Sequence, residues 1–178
     1  MHEQEHSTLR EGLATGLLGA GIVAAWYLVW DLLAGRPLHT FNVLGRILFQ
    51  GDASPGARSI DTAAVGGFVL VHVVVFLLAG AGLALLVHLA SRNIALRMGV
   101  WIGLVVTFCF LTGLVYLLNT ATDDRLPMWA VLGGSVLGVG SMAWYLWRRH
   151  PRLRRSFDRT PLGDEVRSPP HAPGGPRV

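Results

Sequence analysis

Charge is scarce in this chain. Charged residues make up 15% of it, where an average soluble domain carries about 25%. Hydrophobic residues reach 52% and the mean hydropathy is +0.47, so the composition points to a membrane protein before any segment is considered. Lysine is absent altogether: the fifteen basic residues are all arginine, and eight of them follow Trp147. The net charge of +4 is concentrated toward one end, which argues against a nucleic-acid-binding surface. A single cysteine, Cys109, excludes an internal disulfide and any cysteine-ligated zinc or iron–sulfur centre. Its apolar surroundings in sequence predict a small core residue.

Catalytic signatures are missing as well. The sequence has no paired intramembrane aspartates, no serine with a nearby histidine and aspartate, no His-Glu-x-x-His and no phosphate loop. Gly66-Gly67 and Gly133-Gly134 lack a following Lys-Ser/Thr and read as helix-packing glycines. Neither catalytic residues nor metal ligands are expected, and the chain is not expected to be an enzyme. A small multidrug exporter would carry an acid in the middle of its first span, and a transmembrane di-haem cytochrome would carry facing histidine pairs; the chain has neither.

What is present is apolar sequence in long runs. A helix needs about 20 apolar residues to cross a hydrocarbon core, and four runs qualify, at roughly 10–34, 63–90, 95–118 and 127–147. Thr8 and Glu11 have the spacing of a capping box at the start of the first. The link Ser91-Arg92-Asn93-Ile94 forces a tight hairpin between the second and third, and Pro127 suits the first turn of the fourth. These features predict an all-α integral membrane protein. Its four transmembrane helices, within residues 10–147, form an antiparallel bundle between a short N-terminus (1–9) and a basic, Pro/Gly-rich disordered tail (148–178). Small residues at four-residue spacing, Gly12, Gly16, Ala20 and Ala24 in the first span, Gly99 and Gly103 in the third, Gly134 and Gly138 in the fourth, are the means by which such helices approach closely.

Arginine sets the orientation, because basic loops resist translocation. Arg10, Arg92, Arg97 and the eight tail arginines lie on one side, and only Arg36, Arg46, Arg58 and Arg125 on the other. Both termini are therefore expected to be cytoplasmic, in a bacterial inner membrane. Trp26, Trp30 and Trp129 then fall near the outer interface and Trp101, Trp144 and Trp147 near the inner one. In the first outer loop, Phe41, Leu44, Ile47 and Leu48 follow Thr40 at helical spacing, which predicts a short interfacial helix capped by Thr40.

Polar groups at membrane depth are functional candidates by default. Asp31 lies close to the outer end of span one, where Arg36, Arg58, Arg125, Tyr116 and Asn119 share its level, and is expected to anchor the helix end to the loop. His72 lies near the midplane, level with Ala24, Thr107, Thr112 and Ser135. A hydrogen bond to Thr107, Thr112 or Ser135 would make it a cross-tie, while an open site beside it would make it the candidate cofactor-binding residue. His88 is sixteen residues further along the same helix, too distant to share a haem with His72. Arg148, Arg149, Arg152, Arg154 and Arg155 form an anchor for anionic lipid headgroups.

The expected function is a non-catalytic structural or accessory subunit of a larger membrane complex, or a homo-oligomeric bundle, with the bilayer and a membrane protein as partners and no nucleic acid. A small transporter or channel using His72 and Asp31 as polar handles is the alternative, and a subunit binding haem, quinone or pigment beside His72 the second. No particular cofactor follows from the residues.

Overall fold

The computed structural model describes residues 2–51, 59–93, 96–121 and 126–150, with backbone alone for residues 2–7, 92 and 97. Its regular elements are α1 (His2–Leu33), α2 (His39–Gln50), α3 (Thr62–Arg92), α4 (Arg97–Thr120) and α5 (Met128–Arg149), with no strand among the described residues. Four of these helices contain segments long and apolar enough to cross a membrane: Thr8–Leu33, Thr62–Ser91, Met98–Thr120 and Met128–Arg149. That is the make-up of a multi-pass membrane protein. The segments overlap the four apolar runs of the sequence. The tail expected to be disordered lies outside the described residues beyond His150, as do Arg152, Arg154, Arg155, Arg58, Asp123, Asp124 and Arg125.

Helix ends follow local chemistry. α1 stops at Gly35, whose φ of 68° places it in the left-handed region that a residue without Cβ adopts freely. The Gly35 amide donates to Leu32 O at 3.0 Å and the Arg36 amide to Asp31 O at 2.9 Å, the paired bonds of a Schellman motif. Pro37 then prevents continuation. α2 ends likewise on Gly51 at φ 64°. α3 begins where the Asp61 carboxylate accepts from the amides of Ala63 and Ala64 at 2.9 and 3.1 Å, satisfying two of the donors a helix start leaves free. Pro127 sits at the N-cap of α5 rather than inside its first turn. Two further expectations are corrected here. α1 runs through Thr8 and Glu11, so that pair does not open the helix, and α2 starts at His39, which puts Thr40 within its first turn and not at its cap.

The most extensive packing is between α1 and α3. A Cβ added at Gly16 would come within 2.5 Å of Phe76 O and 2.7 Å of Leu77 Cα, and one at Gly12 within 2.7 Å of Ala81 Cα. A Cβ on Gly80 would strike the backbone of Gly12 and Gly16. Three glycines thus let two helices touch main chain to main chain, where dispersion is strongest for elements that gain nothing from leaving lipid. α5 packs on another side of α1: Gly138 faces Val23 and Phe76, and Gly133 and Gly134 face Trp26 and Tyr27. The buried core, including Val23, Tyr27, Phe68, Phe76 and Met142, collects where these helices meet.

α4 is the least covered helix, with 11% of its apolar window buried. Ile102, Val105, Val106 and Phe110 point outward, a surface that hydrocarbon solvates without cost. Cys109 shares that exposure and is not the core residue its sequence surroundings predict. α4 is apolar around its whole circumference, so hydropathy alone does not say which side faces in.

The glycine contacts generate a paired prediction. Gly80→Ala should destabilise the protein in reversible detergent unfolding by about 1–3 kcal/mol, the usual cost of overpacking, whereas Gly82→Ala, with nothing within 4 Å of the new methyl, should leave stability unchanged or slightly raised.

Candidate functional site

The end of the molecule that holds the α1–α2 turn is closed by a chain of polar contacts beginning at Asp31. The residue is 2% exposed. Carboxylate Oδ2 accepts from the Thr40 amide at 2.7 Å and Oδ1 from the Thr40 hydroxyl at 2.6 Å. Leu38 occupies the N-cap of α2 with φ 62° and offers no side-chain oxygen, so Asp31 serves from a distance as the acceptor that a local cap would supply. A left-handed Leu costs about 1–2 kcal/mol, a strain opposed by these two short charge-assisted bonds. Asp31 therefore receives the end of α1 through its carbonyl and holds the start of α2 through its carboxylate.

The chain of contacts continues into α3. Asn42, also buried, accepts from the Asp61 amide at 2.8 Å and donates to Ser59 O at 3.3 Å. Gln50 donates to Asp61 Oδ2 at 2.7 Å. A Cβ on Gly45 would overlap the Ala64 carbonyl, so α2 lies directly against the first turn of α3. Two nearby groups complete this end: Trp26 Nε1 donates to Ala130 O at 2.9 Å, and Asn119 bonds both the amide and the carbonyl of Leu126. Trp129 stands edge-on to Trp26 and Trp30. The Asp61 carboxylate is held below the usual range chiefly by the Gln50 amide, then by the Ala64 and Ala63 amides and the charge of Arg46.

Beneath α2 lies a cavity of about 80 Å³, with side chains of all five helices in its wall. Thr40, Phe41 and Leu44 cover it, and His72 and Ser135 line it among Tyr27, Phe68, Phe76 and Leu111. His72 Nε2 donates to Ala20 O at 3.1 Å and its ring stands 4.7 Å from that of Phe76. The histidine thus ties α3 to the backbone of α1. Of the three hydroxyls the sequence places at its depth, Ser135 shares the cavity, while Thr107 bonds Gly103 O in its own helix at 2.8 Å. Thr112 Oγ1 is buried with no hydrogen-bond partner among the described residues.

At the opposite end the fold gathers residues that the sequence does not place together. Glu11 of α1 lies 3.7 Å from His88 of α3 and 3.6 Å from His150, just past α5. Their separation along the chain hides them, and the one available signal is that each lies near a span boundary on the same expected side of the membrane. The tryptophans divide in the same way: Trp101, Trp144 and Trp147 line one crevice of about 230 Å³ between α3, α4 and α5, with His150 at its edge. Within the expected headgroup anchor, the Arg148 guanidinium lies 4.3 Å above the Trp144 ring and that of Arg149 5.5 Å from Tyr145.

Two predictions test the capped end. Asp31→Ala leaves the buried Thr40 donors unsatisfied and should cost about 1–3 kcal/mol. Combined with Thr40→Val it should cost much less than the sum of the single changes, because both remove one shared contact; additive losses would show that Asp31 acts elsewhere. For Asp61 the depressed folded-state pKa means its stabilisation is present above the unfolded carboxylate value of about 4 and is lost as pH falls through the lower folded value. Amide-exchange protection at Ala63 and Ala64 should accordingly fall in that acid window, and Asp61→Asn should flatten the dependence.

No family model, no curated protein and no solved structure matches the chain.

Proposed function

We propose that this chain is a non-catalytic structural or accessory membrane subunit, built as an antiparallel four-helix bundle with α2 folded over one end. The order of contacts supports the arrangement: Gly12 meets Ala81, Gly16 meets Leu77 and Ala20 meets His72, while Gly19, Gly138 and Trp26 mark the same reversed sequence between α1 and α5. Arginine placement supports a bacterial inner membrane with both termini in the cytoplasm.

The observation that carries the functional reading is the interior. The central cavity of about 80 Å³ is far below the roughly 300–1,000 Å³ of small-molecule pockets, and haem or quinone beside His72 would need the helices to part. Both polar handles of a transporter are engaged within the chain, Asp31 by Thr40 and His72 by Ala20. What the chain offers outward is apolar helix surface, above all on α4, suited to lipid and to another membrane protein.

Native mass spectrometry of the tagged protein, extracted gently from its own host, tests this reading. Further subunits in fixed ratio, or a defined homo-oligomer, are the expected result, with His72→Leu lowering bundle stability while the assembly persists. A bare monomer whose solute uptake is abolished by His72→Leu would overturn it in favour of a transporter.

A further inference from the structure

With both rings neutral, the cluster of Glu11, His88 and His150 presents three acceptors to one point. His88 Nδ1 lies 3.0 Å from Ala84 O and His150 Nδ1 lies 3.2 Å from Leu146 O. A carbonyl only accepts, so each Nδ1 carries the ring proton, and in the neutral rings both Nε2 atoms present lone pairs. Both face the same carboxylate oxygen, Glu11 Oε2, which is buried and receives no hydrogen bond among the described residues. The three ligand atoms lie within 4.8 Å of one another. Lone pairs converging on a buried anion repel unless a metal cation or a proton stands among them.

We propose that Glu11, His88 and His150 form a binding site for a divalent transition-metal ion of the Zn²⁺ type. Ligands about 2.0–2.1 Å from a tetrahedral zinc stand roughly 3.3–3.4 Å apart, so the 3.6 and 3.7 Å carboxylate–imidazole separations need to contract by a few tenths of an ångström, and the two imidazole nitrogens, within 4.8 Å of one another, by up to about 1.4 Å through rotation of the rings. Two imidazole nitrogens and a carboxylate suit zinc better than calcium or magnesium, which prefer all-oxygen shells. The Nδ1 bonds to Ala84 O and Leu146 O are the outer contacts that fix tautomer and ring direction for metal-bound histidines. His150 also borders the apolar crevice beside Trp147. The three ligands come from α1, α3 and the residue following α5, so the ion would clasp three chain segments at the end of the molecule opposite Asp31. This goes beyond the accessory-subunit reading and does not depend on it.

The test uses the full chain, purified through a tag without histidine, stripped with chelator and titrated with ZnCl₂ against a chromophoric competitor. One zinc per chain is expected, together with a rise in thermal midpoint on binding. Glu11→Gln, His88→Gln and His150→Gln should each weaken binding by more than the roughly 10–100-fold that loss of an outer contact costs. The His2→Gln/His6→Gln variant should bind as the parent does. Co²⁺ should give the visible absorption of a four-coordinate site in the parent, a readout that does not depend on variant stability, and lose it in His150→Gln. Absence of zinc and cobalt binding by the parent would overturn the site and leave a proton-mediated carboxylate–imidazole contact. Binding that survives all three substitutions, or that disappears with His2 and His6, would overturn it too.

Discussion

Main-chain contact between α1 and α3 is the constraint on which the other placements depend. Helices in hydrocarbon gain nothing by hiding leucine, so they associate where their surfaces meet most closely and where polar groups find partners. Gly12, Gly16 and Gly80 remove the side chains that would hold the two helices apart. Once they touch, the register brings Ala20 O to the His72 ring and Glu11 to His88. α5 then packs against α1 through its own glycines, with the indole and phenol of Trp26 and Tyr27 resting on Gly133 and Gly134.

The two ends of this pair are finished by different chemistry. At one, helix starts and stops are satisfied by side chains from neighbouring elements: Asp31 for α2, Asn42 and Asp61 for the junction of α2 with α3, Asn119 for the approach to α5. Irregular backbone at the edge of a bilayer is tolerated when its donors and acceptors are bonded within the protein, and these contacts do that. At the other end, three ligand-type groups converge with their lone pairs toward one another and cation–π contacts place Arg148 and Arg149 beside aromatic rings. One end is closed by hydrogen bonds already made, and the other gathers two imidazoles and a carboxylate.

The middle holds little free polarity. A small apolar cavity roofed by α2 lies there, with its one histidine bonded to a neighbouring helix. The features that face outward or sit at an end are the apolar face of α4 and the cluster at Glu11.

The four spans were legible in the sequence because a bilayer demands about 20 consecutive apolar residues, a requirement met or failed within a single stretch of chain. The short helix in the first outer loop was legible for the same reason: its causes are local. Asp31 and Thr40 each stood out, yet their union depends on a left-handed Leu38 that no propensity favours. The inward side of α4, and with it the exposure of Cys109, was hidden by a helix apolar on every face. Ala20 with His72, and Glu11 with His88 and His150, meet across 52 residues or more of chain. The sequence by itself determined which segments can lie in hydrocarbon, since that is a sum over neighbouring residues. Tertiary structure alone decided which polar groups share a site, because that follows from the register in which distant glycines allow two backbones to touch.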